Sequence, residues 1–134
     1  MIVVDASVIA TALADDGSDG DHARARLRGE RLVAPELLDL EVISAWRRLV
    51  GAGVLDLRRA ELALVDLGAL RVERITHRCL LPRCWELRGN LTVYDATYVA
   101  AAELLDAILL TADARIADAP GPRCAVEVLR SSQR

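Results

Sequence analysis

Apolar positions along the chain switch between short β-branched runs and longer stripes of helical period. Ile2-Val3-Val4 is apolar on both faces, as a strand inside a parallel sheet is. Residues 8–14 continue in helical character. Asp15-Asp16-Gly17-Ser18-Asp19-Gly20-Asp21 reads as a mobile acidic loop. It does not read as a calcium loop, because Gly17 and Arg26 fall where ligands are required if Asp15 comes first. Leu32-Val33-Ala34 predicts a second strand, and Pro35 opens a helix over 36–50 that Gly51 and Gly53 end. Residues 57–67 predict a helix stopped by Gly68, and 70–75 a strand with one face covered. The stretch 77–88 is helical, but Pro82 either kinks it or restarts it. Gly89-Asn90 is a turn, 93–105 an Ala-rich helix and 107–110 a buried strand. A short helix ending before Pro120 and a strand over 125–129 complete the series. Strand–helix alternation without repeats or linkers predicts one three-layer α/β domain over 1–134.

Composition sharpens this picture. The chain is 53% apolar but only 3% aromatic, with no Phe, so Ala and Leu must fill the core. That favours helices packed on a sheet over an aromatic-rich sandwich. All 17 basic side chains are Arg, which removes any mechanism needing a lysine, Schiff bases and P-loops included. A net charge of −3 argues against a uniformly basic nucleic-acid module. Cys79, Cys84 and Cys124 match neither a disulfide framework nor a zinc motif and are expected as reduced, buried thiols. No leader pattern and no membrane-length apolar run is present, so a cytoplasmic protein is expected.

The carboxylates carry the candidate chemistry. Asp5 follows the first strand and Asp113 the strand over 107–110; in open parallel sheets, ligands bind beyond the carboxyl ends of the strands. Each of the two, taken alone, is also an ordinary helix cap. Glu41 shares a helical face with Leu37, Leu38, Ala45 and Leu49, where a lone charge is costly; Arg48 offers a structural partner. Asp95 opens the helix over 93–105, where an acid also complements the helix dipole. If the four converge, they form an oxygen-only site suited to Mg²⁺ or Mn²⁺ rather than zinc.

Four segments resemble those of the PIN-domain nucleases, specifically VapC-like toxins of bacterial toxin–antitoxin pairs. They are Ile2-Val3-Val4-Asp5-Ala6-Ser7, Glu41 in its helix, Tyr94-Asp95-Ala96-Thr97-Tyr98-Val99-Ala100 and Leu109-Leu110-Thr111-Ala112-Asp113-Ala114-Arg115. The resemblance implies an α/β/α sandwich around a parallel sheet, with Asp5, Glu41, Asp95 and Asp113 as the acids that hold Mg²⁺ or Mn²⁺. It implies an endoribonuclease acting on tRNA, rRNA or mRNA. It also implies a homodimer, or a heterotetramer or octamer with a VapB-like antitoxin. Thr111 and Ser7 are expected as supporting hydrogen-bonders, and Asp118, placed in a loop, as a lesser additional acid.

RNA must then approach an acidic centre. Residues 71–88 carry Arg71, Arg74, Arg78, Arg83 and Arg88 against two Glu, and with Arg115 they are the candidate backbone-binding cations. Trp46 and Trp85 are expected in the core. A haloacid-dehalogenase-like phosphatase needs a second Asp where Ser7 stands, and a receiver domain needs a lysine. An RNA-processing nuclease of the same chemistry and a non-catalytic RNA- or protein-binding module remain as alternatives.

Overall fold

The computed structural model describes residues 1–130; the last four residues of the expected 1–134 domain lie outside the described residues. Five strands form one sheet: β1 (Ile2–Val4), β2 (Leu32–Pro35), β3 (Val72–Ile75), β4 (Ile108–Thr111) and β5 (Val126–Val128). Every pairing is parallel and the order is β3-β2-β1-β4-β5. The helices are α1 (Ala6–Ala14), α2 (Ser18–Leu27), α3 (Leu38–Gly51), α4 (Leu57–Ala69), α5 (Leu81–Glu86), α6 (Val93–Leu105) and α7 (Ala114–Asp118). The three residues of β1 and the four of β2 are all buried, as strands covered on both faces require.

The order fixes the layers. From β1 the chain steps outward through β2 to β3, then crosses back to β4 and continues to β5 on the other side. Right-handed crossovers therefore put α1 to α4 over one face and α5 to α7 over the other, a three-layer α/β/α sandwich. The packing agrees: α1 packs on α2, α3 and α4, while α6 lies across β1, β2 and β4 beside α5. β1 and β4 run parallel, with Val4 in register with Leu110, and it is the order in which the chain adds strands that reverses between them. That reversal opens a crevice beyond the carboxyl ends of these two strands.

Three local readings are corrected, and a fourth, at Pro82, is decided between its two alternatives. The acidic segment is not a loop from 15 to 21, because α2 starts at Ser18. Asp19 and Asp21 lie in its first turn, where carboxylates complement the helix dipole. Gly20 is required there, since a Cβ would come 1.8 Å from the Asp15 carbonyl oxygen. Pro35 ends β2, opposite Ile75, and the helix starts at Leu38. Gly68 does not stop α4, which runs on to Ala69. Pro82 restarts the chain as a helix: a single 3₁₀ turn over Arg78–Leu80 precedes α5, with the proline in its first turn.

Helix α1 has no basic residue in its own last turn, and two arginines reach in from outside. Arg24 Nη1 donates to the Ala12 and Asp15 carbonyls at 2.8 and 2.9 Å, and Arg59 Nη2 donates to the Leu13 carbonyl at 2.9 Å. They satisfy the orphan carbonyls at the helix end and so fix α2 and α4 against α1. Arg26 forks onto both Glu127 oxygens at 2.7 and 2.9 Å, tying α2 to β5. Trp46 is buried, with its indole N–H on the Ala10 carbonyl at 3.1 Å, but Trp85 is exposed. Cys84 alone of the three free cysteines is buried; Cys79 is exposed and Cys124 half-buried. Among the described residues, no helix is long and apolar enough to cross a membrane.

Candidate active site

Four carboxylates meet at the crevice, and each stands at the N-terminus of a helix. Asp5 is the N-cap of α1 and Asp113 that of α7; Glu41 and Asp95 lie in the first turns of α3 and α6. Four positive helix ends thus face four negative side chains, which offsets part of their repulsion. The offset is incomplete. Burial pushes Asp5 above the ordinary carboxylate range, against hydrogen bonds from Ser7 and Thr111 and with the charge of Asp113 adding to the rise. Burial likewise raises Glu41, with Asp5 and Asp95 adding to it, and raises Asp95, with Asp5 and Asp113 adding to it.

Two hydroxyls stitch the β1–α1 corner to the β4–α7 corner. Ser7 Oγ donates to Asp5 Oδ2 at 2.7 Å and accepts the Ala112 amide at 3.0 Å. Thr111 Oγ1 donates to the same oxygen at 2.8 Å and accepts the Asp113 amide at 3.0 Å. Both hydroxyls therefore load one oxygen of Asp5. The main chain adds a bond from the Asp5 amide to the Leu110 carbonyl at 2.9 Å.

The other acids also have protein partners. Tyr98 Oη donates to Glu41 Oε1 at 2.8 Å. Arg48, the partner considered for Glu41, instead donates to Ser44 Oγ at 3.2 Å. Asp113 is gripped by Arg115, which donates through Nε and Nη2 to both carboxylate oxygens at 2.8 to 3.3 Å. This bond holds Asp113 below the usual carboxylate range. As the side chains stand, no three His, Cys, Asp or Glu among the described residues are grouped tightly enough to chelate an ion. Like carboxylates repel, and neighbouring acids of the cluster add to the raised pKa values of Asp5, Glu41 and Asp95. All donors are oxygen, which fits a hard divalent cation, and three of the four acids have raised pKa values that such a charge would relieve.

Asp118 is exposed on the last residue of α7, in a helix rather than a loop, and stands outside this mutually interacting set. The candidate RNA-binding cations divide. Arg74 is forked onto Asp39 at 2.7 and 2.8 Å, and Arg83 is held by Glu103 and the Gly121 carbonyl. Arg71, Arg78, Arg88 and Arg115 are exposed, and Arg88 lies over the Trp85 ring, 4.3 Å from its centroid. Away from the crevice, a groove of about 300 Å³ runs between α3 and α4, lined by Ile43, Trp46, Val50, Leu57 and Leu64. Tyr98 carried no role in the sequence reading. Its spacing from Asp95 by three positions, one helical turn, was the available signal.

The PIN-domain family model matches residues 2–122. The ribonuclease VapC9 of Mycobacterium tuberculosis is 42% identical over 129 residues, spanning 96% of this chain and 98% of its own. The ribonuclease VapC1 of the same organism is 42% identical, with 96% and 97% covered. Among solved structures, the M. tuberculosis VapC20 toxin, described as cleaving the sarcin–ricin loop, has a TM-score of 0.68 at 17% identity. It covers 88% of this chain and 94% of that one. FitAcB from Neisseria gonorrhoeae has a TM-score of 0.59 at 18% identity, covering 96% and 98%.

Proposed function

The chain belongs to the PIN-domain family, on its VapC-like branch, and from that premise we propose that it is a toxin endoribonuclease dependent on Mg²⁺ or Mn²⁺. The observation that carries the reading is the crowding of Asp5, Glu41, Asp95 and Asp113 at the point where the order of adding strands reverses. Those four residues would hold the ion, with Asp113 leaving Arg115 to do so. A bound divalent ion supplies positive charge against phosphate oxygens and lowers the pKa of a water.

The protein's own groups do the remaining work. Ser7 and Thr111 fix one oxygen of Asp5, so the acid is oriented before any ligand arrives. Arg115, exposed and paired with Asp113 at the edge of the cluster, would be free to bind a phosphate oxygen if Asp113 turned to a cation. Arg71, Arg78 and Arg88 serve the RNA backbone further out. Arg74 and Arg83 are reassigned to structure, since each is already paired with a carboxylate.

The partner is a VapB-like antitoxin. The α3–α4 groove supports this, because exposed Ile43, Leu57 and Leu64 form an apolar face suited to an amphipathic segment. A homodimer, assembling further with antitoxin, and a cytoplasmic site of action complete the reading. The test is direct: purified protein should cleave RNA with Mn²⁺, cleavage should stop with EDTA, and Asp95→Asn should not cleave. Equal cleavage by the variant would overturn it.

A further inference from the structure

We infer that Tyr98 is a positioning residue, whose hydroxyl fixes Glu41 so that its second carboxylate oxygen, Oε2, is the one presented to the cation. This rests on the metal-dependent reading above. Tyr98 is fully buried in α6, yet its hydroxyl does not end on a backbone carbonyl of its own layer. It crosses to α3 and donates to Glu41 Oε1 at 2.8 Å, joining residues 57 positions apart. No other hydrogen bond to that carboxylate is formed among the described residues, so Oε2 is the oxygen left over.

A buried aromatic side chain needs no hydroxyl to fill space, and burying one without a partner is costly. Here the partner is a half-buried carboxylate within a cluster of acids. A phenol is protonated at neutral pH and a carboxylate only accepts, so in this contact the Tyr98 hydroxyl is the donor. Glu41 has three rotatable bonds, and a donor at its tip removes most of that freedom before an ion arrives. Asp5 shows the same arrangement, with Ser7 and Thr111 both on Oδ2. Tyr98 stands one turn beyond Asp95, so a single helix carries one acid and the holder of another.

The experiment is Mn²⁺ binding by calorimetry to wild type, Tyr98→Phe, Glu41→Gln and the double variant, with melting curves confirming that each is folded. Tyr98→Phe keeps the ring and should weaken Mn²⁺ binding by about 10- to 100-fold, the usual cost of losing a ligand's supporting partner. In the Glu41→Gln background the same change should cost much less, because its target is gone. Unchanged Mn²⁺ affinity in Tyr98→Phe beside a wild type that binds would overturn the role of Tyr98 alone. An equal loss in both backgrounds would overturn it too, as a general structural effect. A wild type that binds no Mn²⁺ would overturn the metal reading, and this inference with it.

Discussion

Thr111 and Asp5, 106 positions apart, meet through a 2.8 Å hydrogen bond from Oγ1 to Oδ2 at the ends of adjacent strands. The same hydroxyl accepts the Asp113 amide, so one buried side chain sets two of the four acids. Thr111→Val keeps the shape and removes both bonds. It should destabilise the fold by about 1–3 kcal/mol, the cost of stranding buried polar groups. Urea melts of the two proteins check this, and matched midpoints would reduce Thr111 to a space-filler.

Metal linkage isolates Asp113. A ligand that binds only the folded state stabilises it by about 2.7 kcal/mol at a hundred times its Kd. Mn²⁺ should therefore raise the melting temperature of wild type by several degrees. Asp113→Asn should lose most of that rise. Identical Mn²⁺ shifts in both proteins would remove Asp113 from the site.

The raised pKa of Glu41 predicts a pH-dependent gain. Folding lifts it above its unfolded value, so the folded chain holds that proton more tightly. The group costs nothing below the unfolded pKa and destabilises progressively as pH rises through the folded one. In metal-free protein, Glu41→Gln should thus gain stability over wild type at pH 7–8 and gain none near pH 4. The lowered acids Glu127 and Glu103 run the opposite way but are common to both proteins and cancel in the comparison. A difference independent of pH would contradict the raised value.

In cells, induction without the antitoxin should arrest bacterial growth, and Asp95→Asn should abolish the arrest at matched protein level. Removing one charge from the cluster while preserving shape makes this a test of chemistry rather than folding. Equal arrest by both proteins would mean that toxicity does not come from the four-acid site.

Leu64 lines the α3–α4 groove and is half-exposed there. Leu64→Asp should weaken binding of a VapB-like antitoxin by tenfold or more, on the order of a buried charge in an apolar contact. RNA cleavage by the free protein should be unaffected. Unaltered capture would move the antitoxin to another face.

The strands and the long helices were legible because their patterns are local: Ile2-Val3-Val4 is apolar on both faces, and residues 93–105 sustain one helical stripe. The four acids stood out because Asp5 and Asp113 follow strands, Asp95 opens a helix and Glu41 lies on an apolar helical face. Helix α2 was not, because Gly20 within a run of Asp looks like a turn until its packing against the Asp15 carbonyl is known. Trp85 defied its composition, exposed under a guanidinium. Arg74 and Arg83 looked available because their partners, Asp39 and Glu103, lie 35 and 20 positions away. Tyr98 was hidden for the same reason: spacing places it beneath Asp95, but only the fold brings Glu41 to its hydroxyl.

The pairing of β1 with β4 also has a temporal meaning. Asp5 is made 106 residues before the threonine that fixes it, and β4 follows β1 by a similar length of chain. At about 5–20 residues per second, the first acid waits roughly 5–20 s on the ribosome for its partners. A nascent chain that stops before Thr111 has neither the Asp113 carboxylate nor the adjoining strand, so the four acids come together only once that strand has been made.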